Sequence, residues 1–565
     1  MSLDTHYDAI VVGSGFGGSV TAYRLAEAGK RVLVLERGRP YPPGSFTRSP
    51  YRARESFWDP PRGLTGMYHY WSFKGIDALV SSGLGGGSLI YANVFIRKDE
   101  RWFVQEDLSD GGYEYWPVDR ATLDPHYDRV EDMIGLQEFP VDHEPYASTP
   151  KTIAFKEAAD ELGLRHFHPK LAVTFANKGR PPVPGEAIVE DIPNLHGRTR
   201  TTCQMTGECD VGCNFGSKNT LDYNYLTHAK HQGAEIRTLA DVRRFEPREG
   251  GGYTVHYADL EAGAPEAPPT VTLTCDHLIL SAGTLGTTNL LLRNRAVLPG
   301  LSKKIGSRFC GNGDLLTLIL NTSKVTDGKR EARIVDPGYG PVITTTAHIP
   351  GAEDGGEGRG FYLQDAGYPQ HLAWVLHVLA APIQLWRWRQ GASHLVKNWL
   401  KGSPDTDVTA HIADLMLPSE LSAGGLPLLS MGRDIPDGRM YLKNGRLDLD
   451  WNRRASEAYF ERVRNVSRDM AGVLGGRFAD NPLWFLRRVI TVHPLGGAPM
   501  GRTREEGVVD AYGNVFGHPG LHIADGSVMP GPTGPNPSFT IAALADRFAD
   551  QIIDPDRRAA EAAAR

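Results

Sequence analysis

Three short runs near the C-terminal end gather side chains able to move protons: His493-Pro494-Leu495-Gly496-Gly497, Ala524-Asp525-Gly526-Ser527 and Asn536-Pro537-Ser538. Together they supply a base, a carboxylate and a neutral amide. An imidazole titrates near neutrality and is suited to take a hydroxyl proton. An amide can donate to an oxygen and accept elsewhere without adding charge. Pro494 disfavours helix at His493 and holds it extended after the apolar run Val489-Ile490-Thr491-Val492, and Gly496-Gly497 leave room beside it. Asn536 and Pro537 open an apolar helix through Thr540-Ile541-Ala542-Ala543-Leu544-Ala545, as N-cap and first residue.

The elements that must position these groups begin at the other end of the chain. Tyr7 to Val12 reads as a buried parallel strand, followed by Gly13-Ser14-Gly15-Phe16-Gly17-Gly18. A helix from Ser19 to Ala28, stopped by Gly29, leads to a second strand, Arg31 to Leu35, which ends at Glu36. Gly13 permits the tight turn, Gly15 lets a pyrophosphate approach the backbone, and Gly18 lets helix and strand pack closely. The helix N-terminus meets the phosphate with free amides. Glu36 would accept hydrogen bonds from ribose hydroxyls, and its charge argues against a 2′-phosphate.

A second glycine-rich segment, Gly83 to Asn93, contains Gly86, Gly87 and Ser88. A cofactor as large as FAD needs such a second close approach of the backbone. The segment holds no His or Cys, so a non-covalent flavin is expected. A third segment, His277 to Thr287, is strand, small-residue turn (Ala282-Gly283) and helix. The stretch Ala234 to Val242 reads as a strand passing the adenine. These pieces are far apart, so the cofactor domain must be discontinuous. A dinucleotide fold joined to a base, a carboxylate and an amide suits one broad chemistry, a flavin with an alcohol held against it. The hydroxyl proton leaves to the base and the carbinol hydride to the flavin. The helix opened by Asn536-Pro537 would direct positive potential at the reduced flavin.

The chain has 565 residues, enough for two intimately packed domains. Its 41% hydrophobic and 23% charged residues are ordinary for a soluble enzyme, and a net charge of −6 offers nothing to nucleic acid. No apolar run of about 18 residues appears, so no membrane span is expected. The first residues have neither the basic nor the apolar region of a secretory leader, which with only five cysteines points to a reducing, cytoplasmic setting. Cys203, Cys209 and Cys213 fall within eleven residues. Their spacing matches no standard ligand set and no fourth ligand is near, so no metal is assigned. A structural loop with free thiols, a bound metal or cluster, and redox-active thiols remain three readings.

The runs Gly13 to Gly18, Glu36, Gly85 to Ser88, Ser281 to Thr284, His493 to Gly497, Asp525-Gly526 and Asn536-Pro537 together resemble the glucose-methanol-choline (GMC) family of FAD oxidoreductases, nearest its bacterial cholesterol oxidase branch. The resemblance implies an α/β and α+β fold. A discontinuous Rossmann-like FAD-binding domain (1–98, 201–318 and 486–565) would carry a substrate-binding domain (99–200 and 319–485) on a mostly antiparallel sheet. It implies catalytic roles for His493, as the base, and Asn536, as its partner beside the flavin. Asp525 would accept a ribityl hydroxyl. The remaining cofactor contacts would come from Gly13, Gly15, Gly18, Glu36, Gly86, Gly87, Ser88, Asn93, Val242, Ala282, Gly283, Gly526 and Pro537.

Many members place a second histidine where this chain has Asn536, and the Asn form is typical of the sterol-oxidising branch. A bulky hydrophobic alcohol, oxidised to a ketone or aldehyde with oxygen or another acceptor taking the electrons, is therefore expected. A smaller polar alcohol or sugar, or a lyase reaction on the same flavin fold, are the alternatives. The branch also uses a substrate-domain carboxylate in double-bond migration. Asp414 is best placed for that role, with Glu420 its rival. The Trp-rich stretch from Leu372 to Arg389 reads either as a lid touching a bilayer surface through Trp386 and Trp388, or as an ordinary core helix.

Overall fold

The computed structural model describes residues 5–104, 114–263, 266–369 and 423–556. Asp414, Glu420 and the stretch with Trp386 and Trp388 lie outside the described residues.

Strand His6–Val12 has parallel neighbours on both sides, Val32–Leu35 and the long Thr270–Leu280. Glu235–Arg237 extends the sheet beyond Val32–Leu35, again in parallel. The other edge of Thr270–Leu280 is divided. Its first half pairs antiparallel with Tyr253–Asp259, which pairs with Ala240–Pro247, and its second half pairs parallel with Leu521–Ile523. The parallel strands are buried on both faces, which explains the unbroken apolar runs Ile10-Val11-Val12, Val32 to Leu35 and Leu278-Ile279-Leu280. Because these strands run together, the segments after Val12, Leu35, Leu280 and Ile523 all leave one edge. That edge is where an open α/β sheet binds its ligand.

The strand expected over 234–242 is two strands. Leu239 adopts a left-handed backbone (φ 56°) between Glu235–Arg237 and Ala240–Pro247, and the chain turns from the parallel part of the sheet to the antiparallel part. Val242 therefore belongs to the second strand, opposite Tyr257 and at a register shift.

The second sheet has six strands in the order Arg477–Asp480, Leu315–Leu320, Leu426–Gly432, Phe361–Asp365, Thr346–Ile349 and Arg165–Phe167, every pair antiparallel. One face, with Leu315, Ile319, Leu363 and Leu428, packs on helices Pro150–Glu161 and Glu457–Val473. The period of two puts Leu316, Leu318, Leu429, Tyr362, Gln364, Thr346 and Phe167 on the opposite face. A small third sheet pairs Val489–Thr491 in parallel with Ile76–Ser81 and launches His493.

Candidate active site

His493 is held by an aspartate that the sequence did not single out. Its Nδ1 lies 2.8 Å from Asp314 Oδ1. The other carboxylate oxygen, Oδ2, accepts from the backbone N–H groups of Val492 and His493 and from the Thr491 hydroxyl, at 2.9, 3.2 and 2.9 Å. Asp314 is buried, its side chain 2% exposed, while the imidazole retains 14% exposure. A carboxylate on Nδ1 fixes the tautomer with Nδ1 protonated, which leaves Nε2 as the available acceptor.

Asp314 closes the turn Gly311-Asn312-Gly313-Asp314, and the same turn fixes the segment leading to Asn536. Asn312 Oδ1 accepts from the backbone N–H of Thr533 and Gly534, at 2.9 and 3.1 Å, and its Nδ2 donates to the Pro535 carbonyl at 3.0 Å. Its own backbone is left-handed, at φ 53°. Lys98, fully buried, donates from Nζ to the carbonyls of Pro532 and Thr533 at 3.0 and 3.3 Å. Burial lowers its pKa to about 7, with Glu114 acting in the opposite sense. One four-residue turn thus ties His493 and the Asn536 segment to a common support.

Asn536 is buried, and its Oδ1 accepts from Gln364 Nε2 at 3.0 Å. It does not cap the following helix. Helix Ser538–Ile553 has Pro537 at its N-cap, already at φ −79° and ψ −14°, so the helix begins one residue later than expected and the Asn536 amide is free for another use. The Gly496-Gly497 pair also differs from expectation. A Cβ on Gly496 would lie 2.0 Å from the Arg308 carbonyl oxygen, and one on Gly497 2.2 Å from Thr288 Oγ1. The pair makes room for neighbouring protein, and through it the His493 loop packs against Arg308-Phe309 and against Thr288 of helix Gly283–Arg293.

The three glycine-rich segments converge on one cradle. A Cβ on Gly17 would lie 1.5 Å from the Ala524 carbonyl oxygen and one on Gly18 2.0 Å from that of Gly13, so both are needed for packing within the fold. Gly13 itself has φ 99°, and its Cβ would meet Ser281 O at 2.3 Å. By contrast, Cβ atoms on Gly15, Gly87 and Gly283 would point into open space. Gly86 touches Gly15, its Cβ position 2.6 Å from Gly15 Cα, so the first two segments meet where the third opens. Ser14 locks them together, its hydroxyl donating to Glu36 at 2.6 Å and accepting from the Gly85 N–H at 3.0 Å. Ser88 Oγ donates to Gly85 O and accepts from the Leu221 N–H. Asn93, buried and left-handed at φ 68°, has an amide with no oxygen or nitrogen partner, beside the Cys209 thiol. An amide whose neighbour is a thiol keeps hydrogen-bonding capacity that fits a polar cofactor group.

The two acids of the cradle are already well used. Glu36 accepts from the Ser14 N–H and hydroxyl and from the Gly38 N–H, which leaves about one acceptor direction for a ribose. Asp525 takes four protein donors: the Gly283 N–H at 2.9 Å, the Thr287 hydroxyl at 2.5 Å, and the N–H and hydroxyl of Ser527 at 2.9 and 2.5 Å. A carboxylate has about four acceptor sites. Asp525 therefore shapes the wall by fixing Ala282-Gly283 and Gly526-Ser527, and offers no spare lone pair to a ribityl hydroxyl. Burial raises its pKa against those hydrogen bonds.

Cys203, Cys209 and Cys213 line one small cavity with Thr206 and Lys218. Burial pushes the thiols of Cys203 and Cys209 up, away from thiolate chemistry. Among the described residues, the one group of three whose ligand atoms lie within 4.8 Å of one another is His126, Asp546 and Asp550, not the thiols. That group is neutralised by Arg24 and Arg129. Lys218 donates from Nζ to Leu89 O at 2.8 Å and Cys209 O at 2.5 Å, so the cysteine loop braces the second glycine segment.

Residues 193–310 and 437–545 match the family described as GMC oxidoreductase, and residues 11–57 match an NAD(P)-binding Rossmann-like domain. Over 569 residues the chain is 31% identical to a cholesterol oxidase of Mycobacterium tuberculosis, covering 96% of this chain and 90% of the relative. The chain belongs to the GMC oxidoreductase family. A cholesterol oxidase of Acinetobacter baumannii is 26% identical over 97% of this GMC oxidoreductase and 94% of its own length. The crystal structure of pyridoxine 4-oxidase from Mesorbium loti shares the fold, with a TM-score of 0.57 at 17% identity over 96% of this chain and 99% of that one. This GMC oxidoreductase is accordingly an FAD-dependent enzyme that oxidises alcohols. Among its described residues no helix is long and apolar enough to cross a membrane.

The residues that sequence reasoning missed are Ser14, Lys98, Asn312, Asp314 and Gln364. Only the turn Gly311 to Asp314 carried a signal. An amide between two glycines, followed by a carboxylate directly before an apolar strand, is a costly way to make an ordinary turn.

Proposed function

We propose that this enzyme oxidises a bulky hydrophobic, sterol-like alcohol, with His493 taking the hydroxyl proton and Asn536 donating to the alcohol oxygen. The observation that carries the reading is the face of the six-stranded sheet turned away from helices Pro150–Glu161 and Glu457–Val473, where Trp102 packs on Tyr362 and Met431. Leu316, Leu318 and Leu429, all half-buried, share that face with Gln364, whose amide grips Asn536. An apolar floor whose Gln364 amide is turned to Asn536 suits a large hydrocarbon bearing one hydroxyl. A sugar would need several donors and acceptors, whereas on this face Thr346 is engaged by Gln364 and His348 lies 3.7 Å from Asp354. In this reading segments 1–98, 201–318 and 486–565 hold the cofactor, and 99–200 and 319–485, with strand Leu315–Leu320, roof the substrate.

FAD, when bound, accepts the carbinol hydride. Cradle contacts would come from Gly15, Gly86, Gly87, Ser88, Asn93, Gly283 and Gly526, with Glu36 on the ribose side. The Asp314 carboxylate holds the imidazole while Nε2 takes the proton, and stabilises the imidazolium that results. Anaerobic bleaching of the flavin by cholesterol, dodecanol, glucose and pyridoxine tests the reading, followed by readmission of air to see whether oxygen takes the electrons. Rapid bleaching by cholesterol and dodecanol is expected. Bleaching by the polar pair alone would overturn the substrate class, and no bleaching by any alcohol would favour the lyase alternative.

A further inference from the structure

Gln364 is completely buried on the substrate-facing side of strand Phe361–Asp365. Its Nε2 donates to Asn536 Oδ1 at 3.0 Å and to Thr346 Oγ1 at 3.1 Å, while its Oε1 has no partner. Both amide hydrogens are therefore in use. With Oδ1 of Asn536 accepting from Gln364, the polar group Asn536 has left to offer is its Nδ2 donor. An oxygen losing its proton needs a donor at that position, and an acceptor there would repel it. A free asparagine amide presents either end.

We propose that Gln364 is a positioning residue that decides which end of the Asn536 amide faces the alcohol, making Asn536 a permanent donor at any pH. This rests on the role of Asn536 in the proposed reaction. A glutamine suits the task because it donates without a titratable proton. A glutamate in its place would donate to Asn536 only when protonated. Once ionised it would accept from Nδ2, and the asparagine would turn its oxygen toward the substrate.

The other groups around Gln364 are identifiable. His348 and Tyr362 share its sheet face, Arg165 pairs beside His348, and Asp354 lies 3.7 Å from His348. Burial holds His348 below its ordinary value and Tyr362 above its own, so neither changes charge from neutral to mildly alkaline pH. Asp365 and Lys151 lie on the opposite face, 3.3 Å apart. The wall of Asn536 brings the His493–Asp314 pair and, behind Pro532 and Thr533, Lys98 with its pKa lowered by burial to about 7. Both are present in wild type and variants alike, so the variant-to-wild-type ratio at each pH is the quantity compared.

The test is rapid-mixing anaerobic flavin reduction of the full-length holoenzyme by cholesterol, with dodecanol as second probe, from acid to mildly alkaline pH. Gln364→Glu should approach wild type at the acid end and fall on the order of 10-fold or more below it as pH rises. Gln364→Leu should be slow at every pH, and both variants should keep their flavin absorbance. A Gln364→Glu enzyme that tracks wild type across the range overturns the proposal, as does a Gln364→Leu enzyme of wild-type rate. Asn536→Ala at wild-type rate would remove the reading beneath it instead. If neither probe bleaches wild type, the substrate class fails, and the pH comparison is made with whichever panel alcohol does bleach it.

Discussion

The carboxylate of Asp314 and the imidazole of His493 stand 2.8 Å apart although 179 positions separate them in the chain. The aspartate's second oxygen is occupied by the backbone of Val492 and His493 and by Thr491, so the pair is fixed in rotation as well as distance. Since Asn312 of the same turn grips the segment before Asn536, one turn anchors both the His493 imidazole and the segment that carries the Asn536 amide.

Asp314→Asn should therefore cost far more than a lost hydrogen bond. The asparagine amide can donate to Nδ1, which moves the ring proton to Nε2 and removes the base. Flavin reduction should fall roughly 10²-fold or more, with cofactor content unchanged. His493→Ala should likewise stay yellow and lose most alcohol-driven reduction. Stopped-flow reduction with absorbance quantitation of FAD checks both, and wild-type rates in Asp314→Asn would remove the aspartate from the mechanism.

The glycines of the first turn separate cofactor binding from folding. A valine at Gly15 enters open space, so Gly15→Val should fold normally and fail to hold FAD. A valine at Gly17 meets the Ala524 carbonyl at 1.5 Å, so Gly17→Val should not accumulate as soluble protein. Expression, circular dichroism and flavin content distinguish the two outcomes. A yellow Gly15→Val protein would place the cofactor elsewhere.

Much of this arrangement was legible in the sequence where local chemistry dictates it. The buried strands, the glycine turns and the extended entry to His493 each follow from a few adjacent residues. Gln364 and Lys98 were not, because each acts on a partner far along the chain and occupies an ordinary sequence context, and the turn that holds Asp314 marks itself as unusual without naming His493 as its partner. The single strand expected over 234–242 failed for a local reason, since nothing in Thr238-Leu239 announces a left-handed turn. Asn536 read as a helix cap because Asn-Pro-Ser is good capping chemistry. The pull of Gln364 on its side chain could not be seen without the second sheet.

The two faces of strand Leu315–Leu320 should respond differently to a charge. Leu318 is half-buried on the face proposed to meet the substrate, whereas Ile319 is fully buried against helix Glu457–Val473. Leu318→Asp should raise KM for cholesterol about 10-fold or more, because burying a leucine-sized group is worth ~1.5–3 kcal/mol, with a smaller change in kcat. Ile319→Asp should fail to fold. An unchanged KM in Leu318→Asp would move the apolar site away from this sheet.

Acid stability should rest in part on Asp546, in helix Ser538–Ile553, which pairs with His126 at 2.7 Å and with Arg24 and Arg129. Burial opposes its ionisation, yet the His126 hydrogen bond and the two guanidiniums hold its pKa down to about 2. A carboxyl whose folded-state pKa is depressed stabilises the fold above its unfolded value, and that contribution is lost as pH falls through the folded one. From the ordinary 3.8 to about 2, the linkage amounts to ~2 kcal/mol, disappearing between about pH 4 and pH 2. Asp546→Asn should remove this pH dependence. It should also destabilise the neutral protein by ~3–5 kcal/mol, since it leaves buried positive charge under-compensated beside Asp550. Urea unfolding across that pH range, comparing variant with wild type, checks both effects. Parallel acid curves for the two proteins would show that the folded-state charge of Asp546 does not govern acid unfolding.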